Sequence, residues 1–130
     1  MKPLGFPKNE RLCSKKSIEK IFSEGKSCFT YPIKAAYIIK APTDSESAVQ
    51  ALFVVPKRKF KRAVKRNAIR RRLSEAYRLK KQILHNWCLS NNIQLRVAFI
   101  YISSEDVDFD IHEKAIMGIF DQLMSINLNR

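Results

Sequence analysis

Lys57-Arg58-Lys59-Phe60-Lys61-Arg62-Ala63-Val64-Lys65-Arg66-Asn67-Ala68-Ile69-Arg70-Arg71-Arg72 runs directly into Leu73-Ser74-Glu75-Ala76-Tyr77-Arg78. Ten of the sixteen residues from Lys57 to Arg72 are Lys or Arg, and none is acidic. Apolar residues then recur at Ile69, Leu73, Ala76, Ile83 and Trp87, with Lys80 breaking the series. At about 100° per residue these positions lie along one stripe of a helix. The stripe predicts a long helix from about Arg62, docked on a core through those five residues, with residues 57–61 as the loop leading in. The same rotation gathers Asn67, Arg70, Arg71, Ser74 and Arg78 on another face. The cations therefore form a ridge on a helix whose back is buried.

Upstream of this stretch, Ala48 to Val55 has strand-forming content and is stopped by Pro56. Ile33 to Lys40 reads as another strand, and the Pro-, Asp- and Ser-rich residues 41–47 as a turn between the two. So short a connection predicts an antiparallel hairpin of these strands. Lys26 to Thr30 is a shorter strand candidate, interrupted by Tyr31-Pro32. Before it, Ser14 can cap a short helix carrying Ile18, Ile21 and Phe22, with Gly25 just past its end. Residues 1–12 read as a flexible, irregular arm broken by Pro3, Gly5 and Pro7. Downstream, Asn91-Asn92 ends the long helix and Leu95 to Ile102 is a strand apolar on both faces. A last helix follows, with Ile111, Ala115, Ile116, Ile119, Phe120 and Leu123 as its stripe and His112 near its start. The order is α-β-β-β-α-β-α, an α+β fold in a single domain covering residues 1–130.

A chain of 130 residues supports one core. Its formal net charge of +13 attracts nucleic acid, anionic membranes or acidic proteins. Six of the twelve acids (Glu105, Asp106, Asp108, Asp110, Glu113, Asp121) fall in the last quarter, so the charge is polarised along the chain. No apolar run approaches the roughly 18 residues of a membrane helix, and the N-terminus is not a secretory signal. Three widely spaced cysteines, Cys13, Cys28 and Cys88, match neither a disulfide framework nor a zinc pattern, and reduced thiols in a cytoplasmic protein are expected.

The residues of an enzyme are missing. His85 and His112 have no Cys or His at ligand spacing, and acids such as Asp106 and Asp108 suit a helix N-terminus. None of the three glycines belongs to a phosphate-cradling loop. No catalytic residue and no metal site is expected in the protein.

Ten like charges without a compensating acid call for a polyanion. A membrane-surface helix would need the apolar stripe that the core requires here. A duplex DNA reader would show a recognition-helix pair or a zinc module, and neither is visible. RNA fits better: Lys and Arg on a rigid helix grip phosphates while nearby aromatics stack on unpaired bases. Phe22, Phe29, Tyr31, Tyr37 and Phe53 are available.

Several stretches together resemble one family, the protein component of bacterial ribonuclease P. Arg11-Leu12 and Ile18-Glu19-Lys20-Ile21-Phe22-Ser23-Glu24-Gly25 are similar to its first helix, and Val54-Val55-Pro56-Lys57-Arg58 to the end of its strand. Ala63-Val64-Lys65-Arg66-Asn67-Ala68-Ile69-Arg70-Arg71 resembles its basic helix signature, followed by Glu75-Ala76-Tyr77-Arg78. Residues 57–61 and 98–102 resemble the Bacteroidetes branch. Ala68 and Ser74 stand where arginines are common, and Ile18 where an aromatic is common. The resemblance implies a sandwich like the second domain of ribosomal protein S5, with a left-handed βαβ crossover through the basic helix. It also implies a function: binding the catalytic RNA subunit, one to one, and the single-stranded 5′ leader of precursor tRNA, while the RNA subunit and its Mg2+ remove the leader. Lys57, Arg58, Arg62, Lys65, Arg66, Asn67, Arg70, Arg71 and Arg78 are then the expected RNA-binding residues. Phe22 would line a leader cleft, with Tyr37 and Phe53 as further cleft candidates. The alternative is a ribosomal or other structural RNA-binding protein of the same fold.

Overall fold

The structure is a computed structural model, described here for residues 10–12, 14–43 and 47–126. The order is α1 (Lys15–Glu24), β1 (Lys26–Thr30), β2 (Ile33–Lys40), β3 (Val49–Val54), α2 (Ala63–Ser90), β4 (Gln94–Tyr101) and α3 (Phe109–Met124). Ser14 caps α1 by accepting from the Ser17 N–H. A Cβ at Gly25 would press on the carbonyl oxygens of Ile21 and Tyr37, the latter 2.9 Å away, so only glycine lets the chain turn this tightly into β1. Asn92 ends the α2 connection in the left-handed region, φ 53°, which asparagine tolerates.

The sheet corrects one expectation. Its strand order is β1-β2-β4-β3. The hairpin is β1–β2, joined by the cis Tyr31-Pro32 turn, and β2 and β3 are not neighbours. Strand β4 lies between them, antiparallel to β2 and parallel to β3. The physical reason is burial. Leu95, Val97 and Phe99 pack on one face of β4, Ala98 and Ile100 on the other, so β4 belongs in the interior of the sheet. A parallel β3–β4 pair then needs a long crossover, which α2 provides.

Strand alternation sorts the core into two layers. Tyr37, Phe53, Val97 and Phe99 face α2 and α3, and Tyr77 of α2 packs against Phe53, Phe99 and Phe120. Ala36, Ala98, Ile38, Leu52 and Ile100 face the other way, with Leu12, Ile18 and Ile21 over them. A third small cluster joins Val55, Ile69 and Tyr101 to Phe60 of the β3–α2 loop.

Two corrections concern α2 and the N-terminal segment. Its buried line is Ile69, Leu73, Ala76, Tyr77, Lys81, Leu84 and Cys88. Ile83, expected in the core, is 44% exposed, and Trp87 is half-buried against the core. Leu84 rather than Ile83 continues the line of Leu73 and Tyr77, and adjacent residues are about 100° apart on a helix. The expected flexible arm of residues 1–12 is docked at its inner end. Arg11 bridges to Ala51 in parallel, the Leu12 N–H donates to the Ala51 carbonyl at 2.9 Å, and Leu12 is buried. The rest of that arm, and Cys13, lie outside the described residues. His112, in the first turn of α3, is fully buried with its ring stacked on Tyr101.

Candidate RNA interface

The sequence-predicted RNA-binding residues fall into five settings. Asn67, Arg70 and Arg71, at i, i+3 and i+4 on α2, line one groove together with Ser74, Phe53 and Arg11. The groove encloses about 380 Å³. Asn67 Oδ1 accepts from Arg70 Nη1 at 2.7 Å, which orients that guanidinium. Arg62 and Lys65 line a second depression with Phe60 and Lys61. Lys57 and Arg58 are exposed at the turn that leaves β3.

Arg66 is the exception within the signature. Its Nη1 donates to the carbonyls of Phe60 (2.9 Å) and Lys61 (2.7 Å). The side chain ties the β3–α2 loop to the first turn of α2, so it holds the basic loop in place. Arg78 does not reach the groove; its Nε donates to Glu75 at 2.8 Å in an i, i+3 pair.

Acids neutralise part of the ridge and spare the rest. Asp106 pairs with Lys65 at 2.9 Å and with Arg72. Burial pushes the Asp106 carboxyl up, but the hydrogen bonds and charges of Lys65 and Arg72 outweigh it and hold the group below its ordinary value. Among the described residues, no acid forms an ion pair with Arg70 or Arg71.

The three cleft candidates do not come together. Tyr37 and Phe53 are both 8% exposed and point into the layer under α2 and α3. Phe22 is 54% exposed on α1, across the sheet from them. The physical reason is the two-residue period of a strand: Tyr37 shares its face with Ile33 and Ala35, and that face is covered by helices. The α1 side presents a different row. Phe29 lies opposite Lys34, Lys34 opposite Ile100, and Ile100 beside Val54. Phe29 is 50% exposed and Lys34 is also exposed. Glu24 lines a separate groove over Tyr37, Ile38 and Ile39. Phe22, two residues earlier and about 200° around the helix, is on the opposite flank of α1 from Glu24. Sequence reading missed Lys34 because a lone lysine in an apolar strand carries no signal until its register is known.

Among the described residues no cluster of three or more His, Cys, Asp or Glu side chains could hold a metal ion. No described helix is long and apolar enough to cross a membrane. Cys88 is buried, with its thiol pushed up to about 12 by desolvation, which makes it inert.

Residues 6–123 match the family profile of ribonuclease P. The chain belongs to the ribonuclease P protein family. The ribonuclease P protein component of Porphyromonas gingivalis is 36% identical over 113 residues, covering 86% of this chain and 81% of the relative. That of Chlorobium phaeobacteroides is 38% identical over 103 residues, covering 73% and 70%. The fold matches the ribonuclease P protein of Thermotoga maritima, with a TM-score of 0.68 at 21% identity over 87% of this chain and 96% of that one. It also matches that of Staphylococcus aureus, with a TM-score of 0.66 at 15% identity over 91% and 98%. The protein is thus a component of ribonuclease P, an endoribonuclease holoenzyme, and its partner is the ribonuclease P RNA. RNA binding and tRNA processing follow from the family.

Proposed function

We propose that the first half of α2 docks the catalytic RNA and that the sheet face beside α1 holds the single-stranded 5′ leader of precursor tRNA. The observation that carries the first part is the groove of Asn67, Arg70 and Arg71: two guanidiniums without an acid partner among the described residues, on a helix whose back is locked into the core. Such a surface is pre-organised for phosphates. The second part rests on Phe22 and Phe29, exposed aromatics that can stack on unpaired bases, and on Lys34 between Phe29 and Ile100 as a phosphate partner. Tyr37 and Phe53 support the site from below. On this reading the protein assembles one to one with the RNA in the cytoplasm, and the hydrolysis and its Mg2+ belong to the RNA.

Reconstitution tests the proposal. The protein should let its cognate RNA cleave precursor tRNA at low magnesium, and the protein alone should cleave nothing. Cleavage by the protein alone, lost on mutating one acid or histidine, rejects the reading. Co-purification with ribosomes instead of one catalytic RNA favours a structural RNA-binding role. Within the holoenzyme, Phe22→Ala should weaken binding of leader-bearing substrate roughly tenfold, the worth of one stacked base, and leave mature tRNA unchanged. Equal loss on both would remove Phe22 from the leader site.

A further inference from the structure

The groove stripe of α2 does not end at Ser74. Asn67, Arg71, Ser74, Lys81 and His85 follow in steps of four, three, seven and four, and so lie on one line of the helix. Two consecutive residues of the N-terminal segment meet the two parts of this line. Arg11 shares the groove with Asn67, Arg70 and Arg71. Glu10 Oε1 accepts from Lys81 Nζ at 2.5 Å and lies 3.7 Å from His85 Nε2.

The side chains of Lys81 and Glu10 are only 4% and 15% exposed. A lysine is almost never buried so deeply unless paired, and losing one partner of such a pair is costly. Next in the chain, Leu12 is anchored in the opposite layer of the core and hydrogen-bonded to Ala51. Arg11 is thus held between two fixed neighbours, and strand alternation turns it away from Leu12, to the α2 side.

We propose that Glu10 is a positioning residue of the RNA interface: paired with Lys81, it fixes the edge segment so that Arg11 gives the groove a phosphate-binding cation from the sheet side, facing Arg70 and Arg71. The inference rests on reading the groove as an RNA surface. The ligand is an RNA phosphodiester, from the catalytic RNA or from precursor tRNA.

The test measures affinity against salt for two ligands: the catalytic RNA alone, and precursor tRNA on the assembled holoenzyme. Arg71→Gln serves as the reference. Arg11→Gln should weaken binding roughly fourfold near 0.15 M salt and reduce the log–log slope by about 0.7, the signature of one lost phosphate contact. Glu10→Gln should give a similar loss in the natural background and none in the Arg11→Gln background, because it acts through Arg11. Equal losses in both backgrounds mean a purely structural Glu10 and overturn the positioning role. Arg11→Gln without effect, while Arg71→Gln lowers affinity and slope, overturns the inference but keeps the interface. If Arg71→Gln is also silent, both fall. The ligand that shows the effect identifies the source of the phosphate. Arg11 is exposed, so its variant is informative even if Glu10→Gln does not fold. Glu10→Leu with Lys81→Leu then removes the pair without stranding a charge, and must show the same dependence on Arg11.

Discussion

The two halves of α2 are one continuous helix put to opposite uses. From Ala63 to Arg78 it carries six Lys or Arg and one acid, Glu75. Its exposed side there is a cationic ridge. From Leu79 to Ser90 it carries two lysines and no acid, and one of the two, Lys81, is buried against Glu10. Its exposed side there includes Leu79, Ile83 and Leu89. The same helical line is an open groove in the first half and a covered ion pair in the second. A basic helix is therefore not uniformly an RNA-binding helix: what covers each turn decides what its cations do.

The largest expected effect separates buried from exposed apolar positions in the second half. Leu84→Ala empties a fully buried site packed in the main core and should cost about 2–5 kcal/mol in chemical denaturation. Ile83→Ala, one residue earlier and 44% exposed, should cost less than about 1 kcal/mol. Similar losses at the two positions would mean that Ile83 is covered, and the contrast between the halves would fail.

Next in size is the contrast in charge. Arg70→Ala with Arg71→Ala should weaken binding to the catalytic RNA roughly tenfold near 0.15 M salt and flatten the salt slope by about 1.4. Lys80→Ala, in the second half, should leave both unchanged within error. An equal effect from Lys80 would extend the interface over the whole helix.

Much of this was legible in the sequence, for reasons of range. The element order follows from periodicity and caps, which involve residues a few positions apart, and the ridge of Asn67, Arg70, Arg71 and Ser74 follows from the helical turn. Pairing of strands does not: β4 separates β2 from β3 because its two apolar faces need the interior, and a short 41–47 connection suggested otherwise. Tyr37 and Phe53 were correctly read as aromatic strand residues, but alternation alone does not say which face a helix covers. Arg66 was legible as a cation of the signature, but its second task, tying the β3–α2 loop through the Phe60 and Lys61 carbonyls, depends on backbone acceptors that no composition reveals. Glu10 and Lys81 are 71 residues apart, so nothing local announces their pairing.

The smallest predicted effect sharpens the edge of the ridge. Asp106 occupies Lys65 and Arg72 much as a phosphate would, and its side chain is 26% exposed, so the contact is partly screened by water. Asp106→Asn should release both cations and raise RNA affinity about two- to fourfold at fixed salt, with a steeper salt slope. The sign of the pH dependence follows from its lowered carboxyl. Its ion pairs are fully present above the ordinary carboxylate value of 3.8 and are lost only as pH falls through the lower folded value. The gain from Asp106→Asn should accordingly be flat between about pH 6 and 8. Titration of the catalytic RNA with both proteins decides it: unchanged affinity and slope would exclude Lys65 and Arg72 from the interface and confine it to the groove around Arg70 and Arg71.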